Sequence, residues 1–572
     1  MKASTAYKPG AGSEPACGRL VRRLCWPPAV WVIVTLYTAG LVLGSVLQPG
    51  SKLASGWDTA ITPSLQNVLH FPCYAGLALL LTQALWSTGG RQAWYVPLAA
   101  VLTMLMGLVL EGVQAYIPGR TASLADAVVN GFGAAFAGLA MQLIADRGLL
   151  PRLHRSRAIY AVAQATFLFV ALPVYFWVSY VEDGNSTWLR IATFLTFVQG
   201  VCIIGSIYKL FRWQAISWLP NYLICCGETI DKANKLHVCI AVMDHYEPCH
   251  GHADVATQLD RVNAWQERYA AAVEGMVDSD GQPPQHTWFV PVGLVAPEVL
   301  PVMAQWPARG WGEIEYHLHH DEEPGIATAE LENRVRPELS LLQSHGAIPN
   351  GRYGFVHGMF ALAGGNPKYC QVNDELDLLQ RTGCYADFTF PALGSRAQPR
   401  QVNSIYRARS TGGVKPYDHG VPARAGSPGG QGLLMIPGPL SIQFNRAMLN
   451  DADLAPNTTI TASMIRRWIR SHVHVQGRPE WVFVILHTHS ATEVYQKALF
   501  EDKLPQVWRL ALQMASQGEF CLHYMTAREI YNVVKASEAG HSGDPGCYRD
   551  FEISSPNLMQ LSPKSKQAIT ND

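Results

Sequence analysis

Residues 236–244, LHVCIAVMD, form an apolar run that ends in an acidic residue. A short run of this kind predicts a strand buried on both faces, as in a parallel sheet covered by helices. The next segment, 254–275, has the spacing of apolar residues typical of an amphipathic helix. A buried strand followed by a helix is the repeating unit of parallel α/β domains.

The same alternation continues along the chain over residues 231–540. Further strands are predicted in HTWFVPVG (286–293), GEIEYHLHHD (312–321), YGFVHG (353–358), CYADFTFPA (384–392), GLLMIPGPL (432–440), WVFVILHTH (481–489) and EFCLHYM (519–525). Helices are predicted at 328–344, 372–382, 461–471 and 503–516, and a last helix is predicted between the strand 519–525 and about residue 535. Repeated units of this length predict an α/β domain that is either a parallel sheet or a barrel, and a (β/α) barrel is the first expectation.

Two segments depart from this alternation. Residues 395–431 are rich in Gly, Pro and Arg, and are predicted to form a long excursion or lid. Residues 541–572 are predicted to be a polar tail.

The composition of the whole chain excludes several classes of protein. The chain has 572 residues, of which 15% are charged and 48% hydrophobic, with 44 basic and 44 acidic residues. It is too long for one ordinary domain and too apolar for a disordered protein. Zero net charge argues against a nucleic-acid partner. The twelve cysteines include no CxxC pair, which argues against a zinc ribbon and favours reduced thiols.

The first 210 residues contain six apolar stretches. They are 28–47, 66–86, 94–114, 122–144, 158–180 and 189–210. Because about 20 apolar residues cross a bilayer as a helix, we predict an α-helical transmembrane bundle. Residues 1–150 would form a first membrane domain, and 151–230 would add two further spans and an interfacial linker at 213–226.

Basic residues predict the orientation of these spans. They are concentrated in the N-terminal tail and in the connection 145–157, whereas the opposite loops have few. The positive-inside rule therefore places both termini and the α/β domain on the cytoplasmic side. If 213–226 crossed the membrane, the α/β domain would be extracytoplasmic.

Ionisable residues inside the predicted spans are costly and therefore informative. His70, Glu111, Arg120 and Asp126 lie in NVLHFPCYAGLALL and LEGVQAYIPGRTASLADAVVNGFGAAFAG. These strings resemble the VanZ-like family of membrane proteins over about residues 25–145. The resemblance implies an envelope-related role in a bacterial inner membrane. The alternative is that these groups hydrogen-bond one another and hold the helices together.

Titratable residues cluster where the predicted strands of the α/β domain end, which is where parallel barrels carry their functional groups. These residues are Asp244, His245, Glu247, His317, His319, His320, Asp321, His357, Asp387, His487 and His489. Imidazoles and carboxylates that converge at one rim bind divalent metals. Each also has a structural interpretation: Asp244 could cap a helix, His357 could be a hydrogen-bonded core residue, and only one of His487 and His489 faces the rim if their strand continues. Cys249, Cys370 and Cys384 are interpreted as structural.

Three segments carry a second resemblance. CIAVMDH, HTWFVPVG and GWGEIEYHLHHDEE, followed late in the chain by VFVILHTH, are similar in order to the motifs of the NodB-like polysaccharide deacetylases. The resemblance implies a divalent metal, zinc, bound by His245, His317 and Asp321. It makes Asp244 the catalytic base and His487 the general acid. Further candidates for metal or substrate binding are Glu247, His319, His320, His357, Arg396 and His489.

The resemblances predict a membrane-anchored, metal-dependent carbohydrate N-deacetylase, a hydrolase of C–N bonds other than peptide bonds. Its partners would be an envelope polysaccharide or a lipid-linked glycan, together with membrane lipid. A glycosidase on a related barrel is one alternative, which would require two carboxylates about 5–10 Å apart. A non-enzymatic envelope-resistance or assembly protein with a degenerate barrel is another.

Overall fold

The computed structural model describes residues 27–47, 63–89, 94–118, 122–144, 172–177, 179–181, 184–224, 234–443, 448–450 and 452–556, with residues 120, 169, 228 and 230 in isolation. The chain divides into two compact units, residues 1–208 and 209–572.

Unit 1 is helical. Its helices are α1 (Pro27–Val46), α2 (Pro63–Gly89), α3 (Tyr95–Gln114), α4 (Leu124–Ile144) and α5 (Ser186–Arg212), the last of which ends in unit 2. Within the described residues, three segments are long and apolar enough to cross a membrane: Tyr95–Gln114, Leu124–Met141 and Ser186–Arg212. The predicted spans 28–47 and 66–86 are also helical, whereas 158–168 lie outside the described residues.

Close backbone approach and polar contacts hold unit 1 together. A Cβ atom added to Gly133 of α4 would lie 2.2 Å from the carbonyl oxygen of Phe71 in α2, so glycine allows these two helices to touch. His70 Nδ1 lies 2.8 Å from Asn130 Oδ1, and Arg120 donates to the carbonyl oxygen of Gly44 at 2.8 Å. His70 and Arg120 therefore each contact a helix of unit 1, α4 and α1 respectively.

Unit 2 begins with α6 (Ala215–Ile224) and continues as alternating strands and helices. Its strands are β1 (His237–His245), β2 (His286–Val290), β3 (Gly312–Leu318), β4 (Tyr353–His357), β5 (Cys384–Asp387), β6 (Tyr406–Ala408), β7 (Val421–Pro422), β8 (Leu433–Met435), β9 (Ser441–Gln443), β10 (Met448–Asn450), β11 (Trp481–Thr488) and β12 (Cys521–Tyr524). Its further helices are α7 (Val255–Val273), α8 (Val299–Met303), α9 (Thr328–Ser344), α10 (Glu375–Thr382), α11 (Ala462–Ser471), α12 (Glu493–Ala498), α13 (Leu504–Ser516) and α14 (Ala527–Glu538).

Ten of these strands form one mixed sheet in the order β11-β1-β2-β3-β4-β5-β8-β6-β7, with β12 also paired to β1. The pairs from β11 to β8 are parallel, whereas β6 pairs antiparallel with β7 and β8. Every residue of β1 is buried, which agrees with a strand covered on both faces. The α/β class expected for this part of the chain is therefore correct.

The barrel expected from the sequence is not confirmed. No ladder between described strands joins β11 to the other end of the sheet, so the sheet is open. The ends come close, since a Cβ atom added to Gly438 would lie 2.8 Å from the carbonyl oxygen of Ile485 in β11. However, β6 occupies the edge of β8 at which a closing strand would pair.

Two other segments differ from their sequence-based description. Residues 395–431 contain β6 and β7 and so belong to the sheet. In α6, which covers the predicted interfacial segment, Trp218 is fully buried in a cluster with Val402 and Leu440. Side-chain packing thus attaches α6 to the rest of unit 2.

Candidate metal centre

A pocket of about 850 Å³ opens where β1, β3 and β11 end. Its walls include His245 at the end of β1 and Glu247 just after it, His319 and Asp321 after β3, and His489 after β11. The carboxyl ends of parallel strands meet at one edge of a sheet, so segments far apart in sequence converge here. The sequence-based prediction that strand-end residues gather at one site is met by this group.

Three residues at this edge could hold a metal ion: His245, Glu247 and His317, called the pocket cluster below. One ligand atom from each lies within 4.8 Å of the others. Glu247 Oε1 is 3.1 Å from His317 Nε2 and 3.3 Å from His319 Nε2. Two imidazoles and a carboxylate are a donor set that zinc uses in catalytic sites.

The orientation of the His317 ring prepares it for a cation. Its Nδ1 lies 3.0 Å from the carbonyl oxygen of Val356, and because a carbonyl can only accept, Nδ1 carries the hydrogen. Nε2 faces Glu247 Oε1: it donates to this carboxylate when the ring carries a second hydrogen, and in the neutral ring it offers a lone pair to a cation. Metal-binding histidines are commonly held by such a bond from the other ring nitrogen.

His245 provides the test of whether the cluster suits a metal. Its Nε2 is buried and has no hydrogen-bond partner among the described residues. The His245 ring lies 5.0 Å from that of His317 and 4.8 Å from that of His489, measured between centroids. A buried nitrogen without a partner is costly, and a cation bound by the pocket cluster would satisfy it.

Burial and neighbouring charges set the protonation states in the pocket cluster. Burial, together with the nearby imidazoles of His489, His317 and His487, lowers the pKa of His245 well below its ordinary value. Burial opposes ionisation of Glu247, but hydrogen bonds from His317 and His319 outweigh it and lower the pKa of this carboxyl. Burial also lowers the pKa of His317. A neutral imidazole and an ionised carboxylate are the forms that bind a metal.

Asp244, the expected catalytic base, does not line the pocket. It is fully buried, and its Oδ2 is 2.9 Å from His286 Nε2. Its carboxylate also accepts hydrogen bonds from the backbone N–H of Ser490, at 2.8 Å, and from the Ser490 hydroxyl. These contacts direct Asp244 toward the turn that follows β11.

Asp321, the expected third metal ligand, contacts His319 instead of the pocket cluster. Its Oδ1 lies 2.8 Å from His319 Nδ1. Glu247, one of the alternative ligands considered from the sequence, supplies the carboxylate of the cluster.

His487 and His489 occupy different environments. His487 is buried in β11, 6.2 Å from the His245 ring between centroids, and burial with the nearby His489 lowers its pKa to about 4. Strand β11 ends at Thr488, so the alternation of side chains between the two faces of a strand does not apply to His489. His489 lies in the pocket wall.

Of the remaining candidates, His320 also lines the pocket, whereas His357 and Arg396 do not. His320 and His357 contact each other and Glu375 in a separate buried group. Arg396 is exposed and lies outside the pocket wall.

Several residues near the site were not singled out from the sequence. Arg334 lines the pocket and donates to the carbonyl oxygen of His319 at 2.7 Å. His286 and Ser490 hold Asp244, while Glu375 joins His320 and His357 together with Cys370, which the sequence suggested to be structural. Of these residues, only Glu375 could have been predicted from the sequence. It is a carboxylate on the apolar side of the first turn of a helix, and such a position suggests a buried polar partner.

Comparisons with known proteins assign no family. No protein-family model matches the chain, and no curated protein sequence matches it. The two resemblances therefore stay predictions, and the geometry of the pocket carries the functional argument.

Proposed function

We propose that this chain is a membrane-anchored, metal-dependent hydrolase that removes the N-acetyl group from an envelope polysaccharide or a lipid-linked glycan. The observation that carries the proposal is the pocket cluster, of which His245 and Glu247 line a pocket of about 850 Å³ and His317 lies directly behind them, with its Nε2 3.1 Å from Glu247 Oε1. Catalytic zinc sites combine such donors with a side open to substrate.

Each residue of the pocket then has a chemical task. His245, Glu247 and His317 would hold zinc, which when bound supplies Lewis acidity toward the amide carbonyl. His319 lines the pocket, and its Nδ1 is held by Asp321. In this proposal water attacks the amide carbon, the C–N bond breaks to release acetate, and His319 delivers a proton to the departing amine.

Asp244 acts in this proposal as a positioning residue. Its carboxylate binds the backbone N–H of Ser490, the residue after His489. It therefore fixes the turn that places His489 in the pocket wall, and it does not contact substrate.

The pocket suits a glycan in size and lining. Its volume of about 850 Å³ lies within the range of about 300–1,000 Å³ typical of small-molecule sites. Phe360 and Tyr495 supply ring faces on which a sugar can stack, and Arg334 supplies hydrogen-bond donors. The candidate membrane helices would keep the pocket near lipid-linked substrates, with unit 2 on the cytoplasmic side as the basic residues of the loops predict.

The test uses the full chain in detergent with N-acetylated envelope glycan precursors. We expect the zinc-loaded protein to release acetate. In His317→Ala and in Glu247→Gln, the rate of acetate release should fall by about 100-fold or more, and each variant should bind about one metal equivalent less than the wild type. His419→Ala is the control, since His419 is exposed and outside the pocket wall. Unchanged acetate release in both variants would refute the assignment, and release of reducing sugar ends instead of acetate would favour a glycosidase.

A further inference from the structure

A second group of metal-binding side chains lies buried in unit 2 and reaches the pocket wall through His320. It consists of His320, His357, Cys370 and Glu375, called the buried cluster below. None of the four residues is more than 2% exposed. One ligand atom from each lies within 4.8 Å of the others.

The spacing of these atoms matches a tetrahedral zinc site. The Nε2 atoms of His320 and His357 are 3.0 Å apart, and Glu375 Oε1 lies 3.3 Å from the first and 3.2 Å from the second. Zinc bonds of about 2.0–2.1 Å place neighbouring nitrogen and oxygen ligands of a tetrahedron about 3.3–3.4 Å apart. Cys370 Sγ lies 3.5 Å from the other carboxylate oxygen of Glu375.

Hydrogen bonding alone accounts poorly for this triangle. His357 Nδ1 lies 2.5 Å from the carbonyl oxygen of Gly358, so Nδ1 carries the hydrogen and neutral His357 presents a lone pair at Nε2. That lone pair faces a carboxylate oxygen and a second imidazole nitrogen. A single hydrogen on His320 Nε2 can be donated fully to His357 Nε2 or to Glu375 Oε1 but not to both, whereas one divalent cation can bind both imidazole nitrogens and the carboxylate.

We propose that the buried cluster binds a structural zinc ion through His320 Nε2, His357 Nε2, Glu375 Oε1 and Cys370 Sγ. Structural zinc sites use four protein ligands and leave no open position, whereas catalytic sites keep one position for substrate. The complete burial of the four residues fits the first type. The mixed nitrogen, sulfur and oxygen donors suit zinc better than magnesium or calcium, which prefer oxygen alone.

This ion stabilises the pocket wall. It joins the segment after β3, the end of β4, the loop before α10 and the first residue of α10. His320 is flanked in sequence by His319 and Asp321, which line the pocket. Consecutive histidines of HLHHD thus serve two centres: His317 and His319 face Glu247, and His320 faces Glu375.

The test measures zinc in the full detergent-solubilised chain before and after exhaustive chelation. We expect one equivalent to resist chelation in the wild-type protein and to be lost in Cys370→Ser. Cys384→Ser is the control, because Cys384 is also a buried thiol but lies outside the buried cluster. Loss of the resistant zinc should also lower the melting temperature of Cys370→Ser relative to Cys384→Ser.

Cobalt substitution keeps the proposal testable if Cys370→Ser fails to fold. The pocket cluster contains no thiolate ligand, so a thiolate-to-cobalt charge-transfer band in the wild-type protein would come from Cys370. If the band persists in Cys249→Ser, the thiol of Cys249, which lines the pocket, is not its source. Absence of a chelation-resistant zinc from the wild-type chain, its retention in Cys370→Ser, or absence of the charge-transfer band would each overturn the proposal.

Discussion

Asp244 and His286 form a buried pair in which His286 Nε2 lies 2.9 Å from Asp244 Oδ2, and neither side chain is exposed to solvent. The pair connects the end of β1 and the start of β2 with Ser490 beyond β11. An aspartate at the end of the first strand suggests a catalytic base when only the sequence is known. The surrounding hydrogen bonds give it a structural task instead.

Replacing Asp244 with alanine should therefore act on stability first. The change leaves the Ser490 N–H and His286 without their buried acceptor, so the free energy of unfolding should fall by about 3–5 kcal/mol. Thermal unfolding of the full chain followed by tryptophan fluorescence measures this loss. Asp260→Ala, at an exposed position, should leave the melting temperature unchanged. A variant lacking Asp244 with wild-type stability but no hydrolysis would restore its assignment as catalytic base.

A buried ion pair between Glu313 and Arg528 should contribute more to stability than an exposed one. Arg528 donates to both carboxylate oxygens of Glu313, with the shortest contact at 2.8 Å. Glu313→Ala leaves a buried guanidinium without its main partner, so we expect a loss of about 3–5 kcal/mol. In the exposed pair Arg466–Glu519, Glu519→Ala should cost less than about 1 kcal/mol. Equal losses in urea unfolding would contradict the argument from burial.

Gly133 should be intolerant of any side chain, because a Cβ atom there would lie 2.2 Å from the carbonyl oxygen of Phe71. Gly133→Ala must separate α2 from α4, and overpacking of this kind costs about 1–3 kcal/mol. A Cβ atom added to Gly112 of α3 would meet no heavy atom of the described residues within 4 Å, so Gly112→Ala should be neutral or stabilising. Melting of the two variants in the same detergent checks the difference, and equal melting temperatures would show that α2 and α4 do not touch at Gly133.

Asp280 should contribute to stability at neutral pH and lose that contribution in acid. Burial raises its pKa, but hydrogen bonds from His523 and Arg549 outweigh this effect and lower the pKa from 3.8 to about 2. The folded state thus binds this proton less readily than the unfolded state, so the contribution is complete above pH 3.8 and disappears as the pH falls toward 2.

Partial exposure of Asp280 reduces the contribution to about 1 kcal/mol. Asp280→Asn should therefore be less stable than wild type at pH 6 and nearly equal to it at about pH 2. Unfolding midpoints across this range measure the difference. A constant gap between the two proteins at every pH would exclude the ionic origin.

Local sequence patterns predicted most elements of unit 2. The apolar run 236–244 became β1, and the amphipathic segment 254–275 became α7, whose start Asp254 caps by accepting from the Thr257 N–H at 2.8 Å. Such signals succeed because the burial of a strand or helix face and the capping of a helix depend on neighbours in sequence. In the structure, His245, His319, His320 and His489 line one pocket at one edge of the sheet.

The partners of individual side chains could not be predicted in the same way. The spacing of HLHHD does not reveal that His319 contacts Glu247 while His320 contacts Glu375, because loop conformation after β3 decides these directions. Nor does it reveal that Glu247, not Asp321, completes the pocket cluster.

The order of residues alone thus determined an apolar helical part, an α/β part and the edge of the sheet at which titratable groups collect, since each follows from local periodicity. Only the tertiary structure decided that the sheet stays open, that Asp244 turns to His286, and that Cys370 and Glu375 meet two distant histidines. These outcomes depend on strand pairing and side-chain packing between segments far apart in the chain, and no short stretch of sequence encodes such long-range contacts.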